Sequence, residues 1–122
     1  MAVTGIGGFF FRAHDPEALR GWYRTHLGVG GEAYDPWRQA AGPTMFLPFG
    51  SSTDYWPADK PWLLNLRVDN LDAVLARLNA AGIAVETDPA WDSPDAGRFA
   101  RIHDPESNPI ELWEPAGDGQ PT

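Results

Sequence analysis

Apolar and polar positions along the chain fall into two stretches with the same grammar. In "GIGGFFFRAHDPEALRGWYRTHLGVG" an aromatic-rich run over residues 6–12, bounded by glycines, predicts a strand. Asp15-Pro16 then has the form of an N-cap followed by proline at the first helical position. Leu19, Trp22, Tyr23 and Leu27 share one face at helical spacing, and Gly28 marks the stop. "LLNLRVDNLDAVLARLNAAGIAV" repeats the pattern. A strand is expected over 63–68, a cap at Asn70 and a buried helix face of Leu71, Val74, Leu75 and Leu78. Gly82 is the stop, and a further strand starts at Ile83.

Phe11-Arg12-Ala13-His14-Asp15 lies over Leu66-Arg67-Val68-Asp69-Asn70 at an offset of 55 residues. After the first helix come short strand-like pieces at 31–34, 37–41 and 44–49, and after the second at 83–87, 98–103 and 110–114. The expectation is an α+β fold of two β-α-β-β-β modules in a single domain. Module one covers about 4–50, a joining loop about 51–61 and module two about 62–115, with a small, polar tail at 116–122 expected to fray.

Alternation within strands sorts their faces. One side carries Phe9 and Phe11, then Leu64, Leu66 and Val68, then Ile110 and Leu112. The other carries Gly8, Phe10 and Arg12, then Leu63, Asn65 and Arg67, then Pro109, Glu111 and Trp113. The first set is purely apolar and belongs under the helices. The second mixes aromatic, cationic, amide and acidic groups, a surface suited to an organic ligand.

Composition narrows the classes. A chain of 122 residues can bury one core. A net charge of −8 disfavours nucleic acid, whose phosphates need clustered Lys and Arg. No apolar run reaches the roughly 18 residues of a membrane span, and no basic segment followed by an apolar one suggests a signal peptide. The absence of cysteine removes disulfides and thiolate zinc sites and leaves the cytoplasm as the expected location. Six tryptophans exceed what a core of this size requires. Trp22 is accounted for by its helix face and Trp113 lies on the mixed strand face. Trp37, Trp56, Trp62 and Trp91 fall in or beside loops and suit either an aromatic-lined cavity or a dimer interface.

"DPESNPIEL" after an aromatic-containing strand, together with "RVDNLDAV" and "FRAHDPEALRGWYRTHLG", resembles the glyoxalase / bleomycin-resistance / extradiol-dioxygenase superfamily, the vicinal oxygen chelate proteins, over nearly the whole chain. The resemblance implies two modules whose strands curl into a half-open barrel with the pocket inside. Metal-using members take one ligand from each of four strands. The matching positions here are Gly8, Met45, Leu63 and Glu111, of which only Glu111 suits a hard or borderline divalent ion. The resemblance therefore implies no metal and no cofactor in this chain.

Glu111 carries three readings: an internal pair with Arg12 or Arg67, a polar anchor for a ligand amine or hydroxyl, or a general base with a raised pKa. His14, His26 and His103 suit surface, capping and turn roles, and they do not cluster at metal-ligand spacing. The expected function is that of a metal-free binder of a small aromatic or hydrophobic molecule, of the drug-binding resistance type. The expected contacts are Phe10, Arg12, Asn65, Arg67, Glu111 and Trp113, or alternatively the loop tryptophans near Tyr55 and Trp56. The rival is a lyase, isomerase or epimerase using Glu111 as base or an unplaced metal site. A homodimer is expected from exposed strand edges.

Overall fold

The computed structural model describes residues 2–32 and 34–117. Its elements are helix α1 (Pro16–Leu27), strand β1 (Leu64–Arg67), helix α2 (Leu71–Ala80), a 3-10 turn (Pro89–Trp91), and strands β2 (Gly97–His103) and β3 (Pro109–Pro115). The strands form one mixed, unclosed sheet in the order β1-β3-β2. β3 is central, parallel to β1 and antiparallel to β2.

Both helices begin as their sequences dictate. The Asp15 side chain accepts from the Ala18 amide at 3.1 Å, and Asn70 accepts from Ala73 at 3.1 Å. Each cap satisfies one amide that the first helical turn leaves without a carbonyl. Gly28 closes α1 in the left-handed conformation at φ 66, and Gly82 follows α2 at φ 80.

The apolar strand face meets these helices. Leu78, Ala100, Ile102 and Ile110 have no exposed surface, and Leu71 and Leu112 have 1%. Leu19 and Tyr23 bring α1 onto the same core, with Leu64, Leu66, Val74 and Leu75 packed at its margin. Each buried aliphatic side chain stabilises the fold by about 1.5–3 kcal/mol. A buried polar knot fixes α1 in place. The Tyr23 hydroxyl donates to Asp104 at 2.7 Å, in the turn between β2 and β3. In that same turn Glu106 accepts from the amides of His14 and Asp15 at the entrance to α1, and these two bonds hold its carboxyl below the usual range.

Among the described residues the first half of the chain contributes a helix and no strand. The pieces expected at 6–12, 37–41 and 44–49 are irregular, and the piece at 31–34 includes Ala33, which lies outside the described residues. A strand is defined by a ladder partner for its amides and carbonyls, and no ladder joins these segments to the sheet. The strand expected over 83–87 is reduced to a single bridge between Glu86 and Arg101. In the first segment Phe11 packs inward, while Phe9 is 45% exposed and Phe10 and Arg12, expected on the ligand face, are exposed and lie outside the sheet. The Phe11 ring lies 5.2 Å from Trp62 and 6.3 Å from Tyr23, and Phe9 lies 4.9 Å from Trp62, whereas Phe10 points to solvent at 95% exposure. The tail beyond Gly117 lies outside the described residues.

Candidate functional site

The second sheet face carries the mixed set that alternation assigns to it. Glu111 stands at its centre, in register with Asn65 on β1 and Arg101 on β2. Two residues along, Trp113 is in register with Arg67 and Phe99.

Glu111 is 7% exposed, and both of its oxygens are served. Asn65 donates its amide to one at 2.7 Å, and the Tyr55 hydroxyl donates to the other. Two donors on the carboxyl oxygens satisfy them and compensate for their burial. Burial and the neighbouring Glu111 charge push the Tyr55 phenol up to about 12, with Arg101 opposing them. At neutral pH Tyr55 therefore keeps its proton and Glu111 is the acceptor.

The expected pairing of Glu111 with Arg12 or Arg67 does not occur. Arg67 is in register with Trp113 rather than Glu111. Its guanidinium donates to the carbonyl of Ala40 at 2.7 Å and to that of Pro43. A Cβ added at Gly42 would lie 2.7 Å from the guanidinium carbon, so the guanidinium passes close over this bend. Arg67 thus clasps the first half of the chain to β1. Arg12 and Phe10 are exposed and lie outside the sheet.

Arg101 is 6% exposed. One terminal nitrogen donates to the Tyr55 carbonyl at 3.0 Å, and the guanidinium carbon lies 5.0 Å from the Tyr55 ring centre and 5.6 Å from that of Trp91. The segment at 50–61 forms a strap over this part of the sheet. The Trp56 indole donates to the Lys60 carbonyl at 2.9 Å, and Phe49 stacks on Tyr55 at 5.9 Å with rings 10° apart. Between strap and sheet opens a cavity of about 750 Å³, lined by Tyr55, Trp56, Glu86, Trp91, Arg101 and His103 together with residues 52–54 and 57–58. His103 faces Glu86 at 4.0 Å. At the other end of the sheet the Trp113 indole lies parallel to Phe99 at 6.3 Å and donates to the Ala96 carbonyl at 2.8 Å.

Of the expected contacts, Asn65, Glu111, Arg67 and Trp113 share the mixed face. Sequence reasoning did not single out Arg101, and it gave Trp91 no place beside Tyr55. Alternation applied to 97–103 places Phe99, Arg101 and His103 on one side, so Arg101 was within reach of the same rule. Tyr55 sits in an irregular strap with no period to read. A divalent metal does not fit the donor set. Among the described residues no group of three or more His, Cys, Asp or Glu side chains is placed to hold an ion, and Glu111 stands without a second such donor.

Among solved structures, the chain is similar to TnmS3, an antibiotic binding protein from Streptomyces sp. CB03234, with 27% identity over 95% of this chain and 99% of that one and a TM-score of 0.58. A glyoxalase/bleomycin resistance protein from Streptomyces sp. CB03234 is 41% identical over 42% of each chain, with a TM-score of 0.33. A member of the glyoxalase/bleomycin resistance protein/dioxygenase superfamily from Sphaerobacter thermophilus DSM 20745 is 22% identical over 84% of this chain and 90% of that one, with a TM-score of 0.47. No curated protein matches the sequence. Residues 8–113 match the model of the glyoxalase-like domain, and the chain belongs to that family.

Proposed function

We propose that this protein binds a small aromatic or hydrophobic molecule, without a metal, on the mixed face of its sheet. The observation that carries this reading is the state of Glu111. Its carboxyl group is buried and held by two donors, Tyr55 and Asn65. A general base must come within hydrogen-bond reach of the proton it takes, and Glu111 stands behind Tyr55 and not on the cavity wall. A binding surface needs instead a fixed polar point among aromatic walls. Tyr55, Trp56 and Trp91 supply such walls around the cavity, with Asn65 and Glu111 behind the strap and Arg67 and Trp113 farther along the same face. The antibiotic-binding role of TnmS3, similar over nearly the whole chain, supports the same class. The rival reading as a lyase, isomerase or epimerase requires Tyr55 to vacate Glu111.

Calorimetric titration with a panel of flat aromatic natural products, repeated on Trp91→Leu and Trp113→Leu, tests the proposal. Saturable binding weakened by Trp91→Leu is the expected result. Turnover of any bound compound, abolished by Glu111→Gln, would favour the enzymatic reading instead.

The functional unit in this reading is a homodimer built from two-module chains. Val3, Ile6, Phe10, Phe46 and Leu47 are between 55% and 95% exposed, and β1 is an outer strand of the sheet. Apolar surface and open edges of that kind call for cover. A monomeric mass by light scattering at micromolar concentration would contradict it. A cytoplasmic location goes with this reading, because a chain without cysteine has no use for an oxidising compartment. Recovery in an exported fraction would speak against it.

A further inference from the structure

We propose that Arg101 makes the strap-side cavity selective for aromatic carboxylates. This inference rests on the binding role argued above and names the chemical class of the ligand.

Arg101 is a cation buried to 6% exposure with no carboxylate at ion-pair distance. Among the described residues the ion pairs are Arg24 with Glu32, Arg98 with Asp72, and His103 with Glu86. A buried guanidinium without a counter-ion is costly. Its present compensation is one carbonyl and two aromatic rings. Its Nε–H has no acceptor, the one buried side-chain polar atom so left among the described residues. Glu111, in register across the sheet, forms no ion pair or hydrogen bond with it and accepts from Tyr55 and Asn65.

Charge around the cavity decides between anionic and cationic ligands. Asp54, Tyr55, Glu86, Arg101 and His103 line it, and Glu111 stands behind Tyr55. Asp54 and Glu86 are exposed, so water and salt screen them. Tyr55 is neutral. Arg101 alone among the lining charges is buried, where its field is least screened. A planar carboxylate matches the planar guanidinium fork and would supply the missing counter-charge from the cavity side. The attached ring would find Trp91 and Trp56 as walls, and His103 lies two positions along β2 from Arg101 on the same side.

The test compares 2-naphthoate with 2-naphthamide, nearly the same shape without the charge, by isothermal titration calorimetry at neutral pH. The proteins are the wild type, Arg101→Met and Arg101→Lys. The acid is expected to bind the wild type at least about tenfold more tightly than the amide. Arg101→Met should remove that preference with little change for the amide, and Arg101→Lys should keep part of it. A wild-type ratio near one, or a preference that survives Arg101→Met, overturns the proposal. If Arg101→Met does not fold, the wild-type ratio and Arg101→Lys decide alone. Binding of both probes without preference sinks the role of Arg101 and leaves the binding role standing. No saturable binding of either probe up to millimolar concentration overturns the carboxylate proposal, and the binding role falls only if the natural-product panel fails as well.

Discussion

Tyr55 and Glu111 are 56 residues apart in the chain and are joined by a hydrogen bond in which the phenol donates to a carboxylate already held on its other oxygen by Asn65. The bond ties the strap at 50–61 to the centre of the sheet. It also helps keep the proton on Tyr55, whose phenol is pushed up to about 12.

The first prediction concerns alkali. The folded-state pKa of Tyr55 is raised to about 12, above its usual value of about 10. A group raised in this way contributes stability that is fully present below the unfolded pKa and is lost as pH rises through the folded one. Stability should therefore fall between about pH 10 and 12, and Tyr55→Phe should make that fall shallower. Urea denaturation across the interval, with tyrosinate absorbance recorded in parallel, checks it. A Tyr55→Phe profile that coincides with wild type would show that the strap contact is not maintained in solution.

Glu111→Gln should be milder than Glu111→Leu. The glutamine oxygen can still accept from Tyr55, and an Asn65 flip can present its oxygen to the new amide. Leucine leaves two donors without an acceptor, at about 1–3 kcal/mol for each that water cannot reach. Denaturation midpoints measure the difference, and equal midpoints for the two variants would mean that solvent enters the site freely.

Gly97→Ala should destabilise the protein by about 1–3 kcal/mol or more. Gly97 opens β2 at φ 120, where L-residues are strained, and an added Cβ would lie 2.1 Å from the Glu114 carbonyl oxygen. The neighbour is backbone of the paired strand and cannot swing away. Thermal melting of the variant is the measurement, and an unchanged midpoint would show that β2 and β3 part at this end.

Two periodicities made most of the second half readable. Helical spacing with Asn70 as cap located α2, and alternation over 63–68 and 109–113 assigned both sheet faces, because a strand buried on one side cannot slip by one residue without exposing its core set. Phe11 packs inward and Phe10 outward as alternation gives, but their segment pairs with no strand, so Phe10 joins no sheet face. What alternation cannot give is the content of irregular chain. Tyr55 reaches Glu111 through a strap whose shape is set by local bonds such as Thr53 to Tyr55 and Trp56 to Lys60. The expected Glu–Arg pair failed for a related reason. Parity placed Arg67 on the correct face, but the register two residues beyond Glu111 put it beside Trp113, within reach of the Ala40 and Pro43 carbonyls.

The last prediction addresses how α1 is attached. Asp104 is 4% exposed and accepts from the Tyr23 hydroxyl at 2.7 Å, from the Asn108 amide group at 2.8 Å, and from the Glu106 and Asn108 backbone amides at 2.8 and 3.0 Å. Burial foremost, then Asp104, drives the Tyr23 phenol far above its ordinary range, so the hydroxyl stays a donor. Asp104→Ala orphans three buried or half-buried groups besides Tyr23 and should cost on the order of 3 kcal/mol or more, while Tyr23→Phe removes one donor and should cost about 1–3 kcal/mol. The two effects should not add, because the double variant loses the shared bond only once, and a coupling of about 0.5–3 kcal/mol is expected for residues in direct contact. Urea denaturation of the wild type, both single variants and the double variant closes the cycle. Strict additivity would mean that α1 is held by the Leu19 and Tyr23 ring packing alone, with the Asp104 knot serving only its own turn.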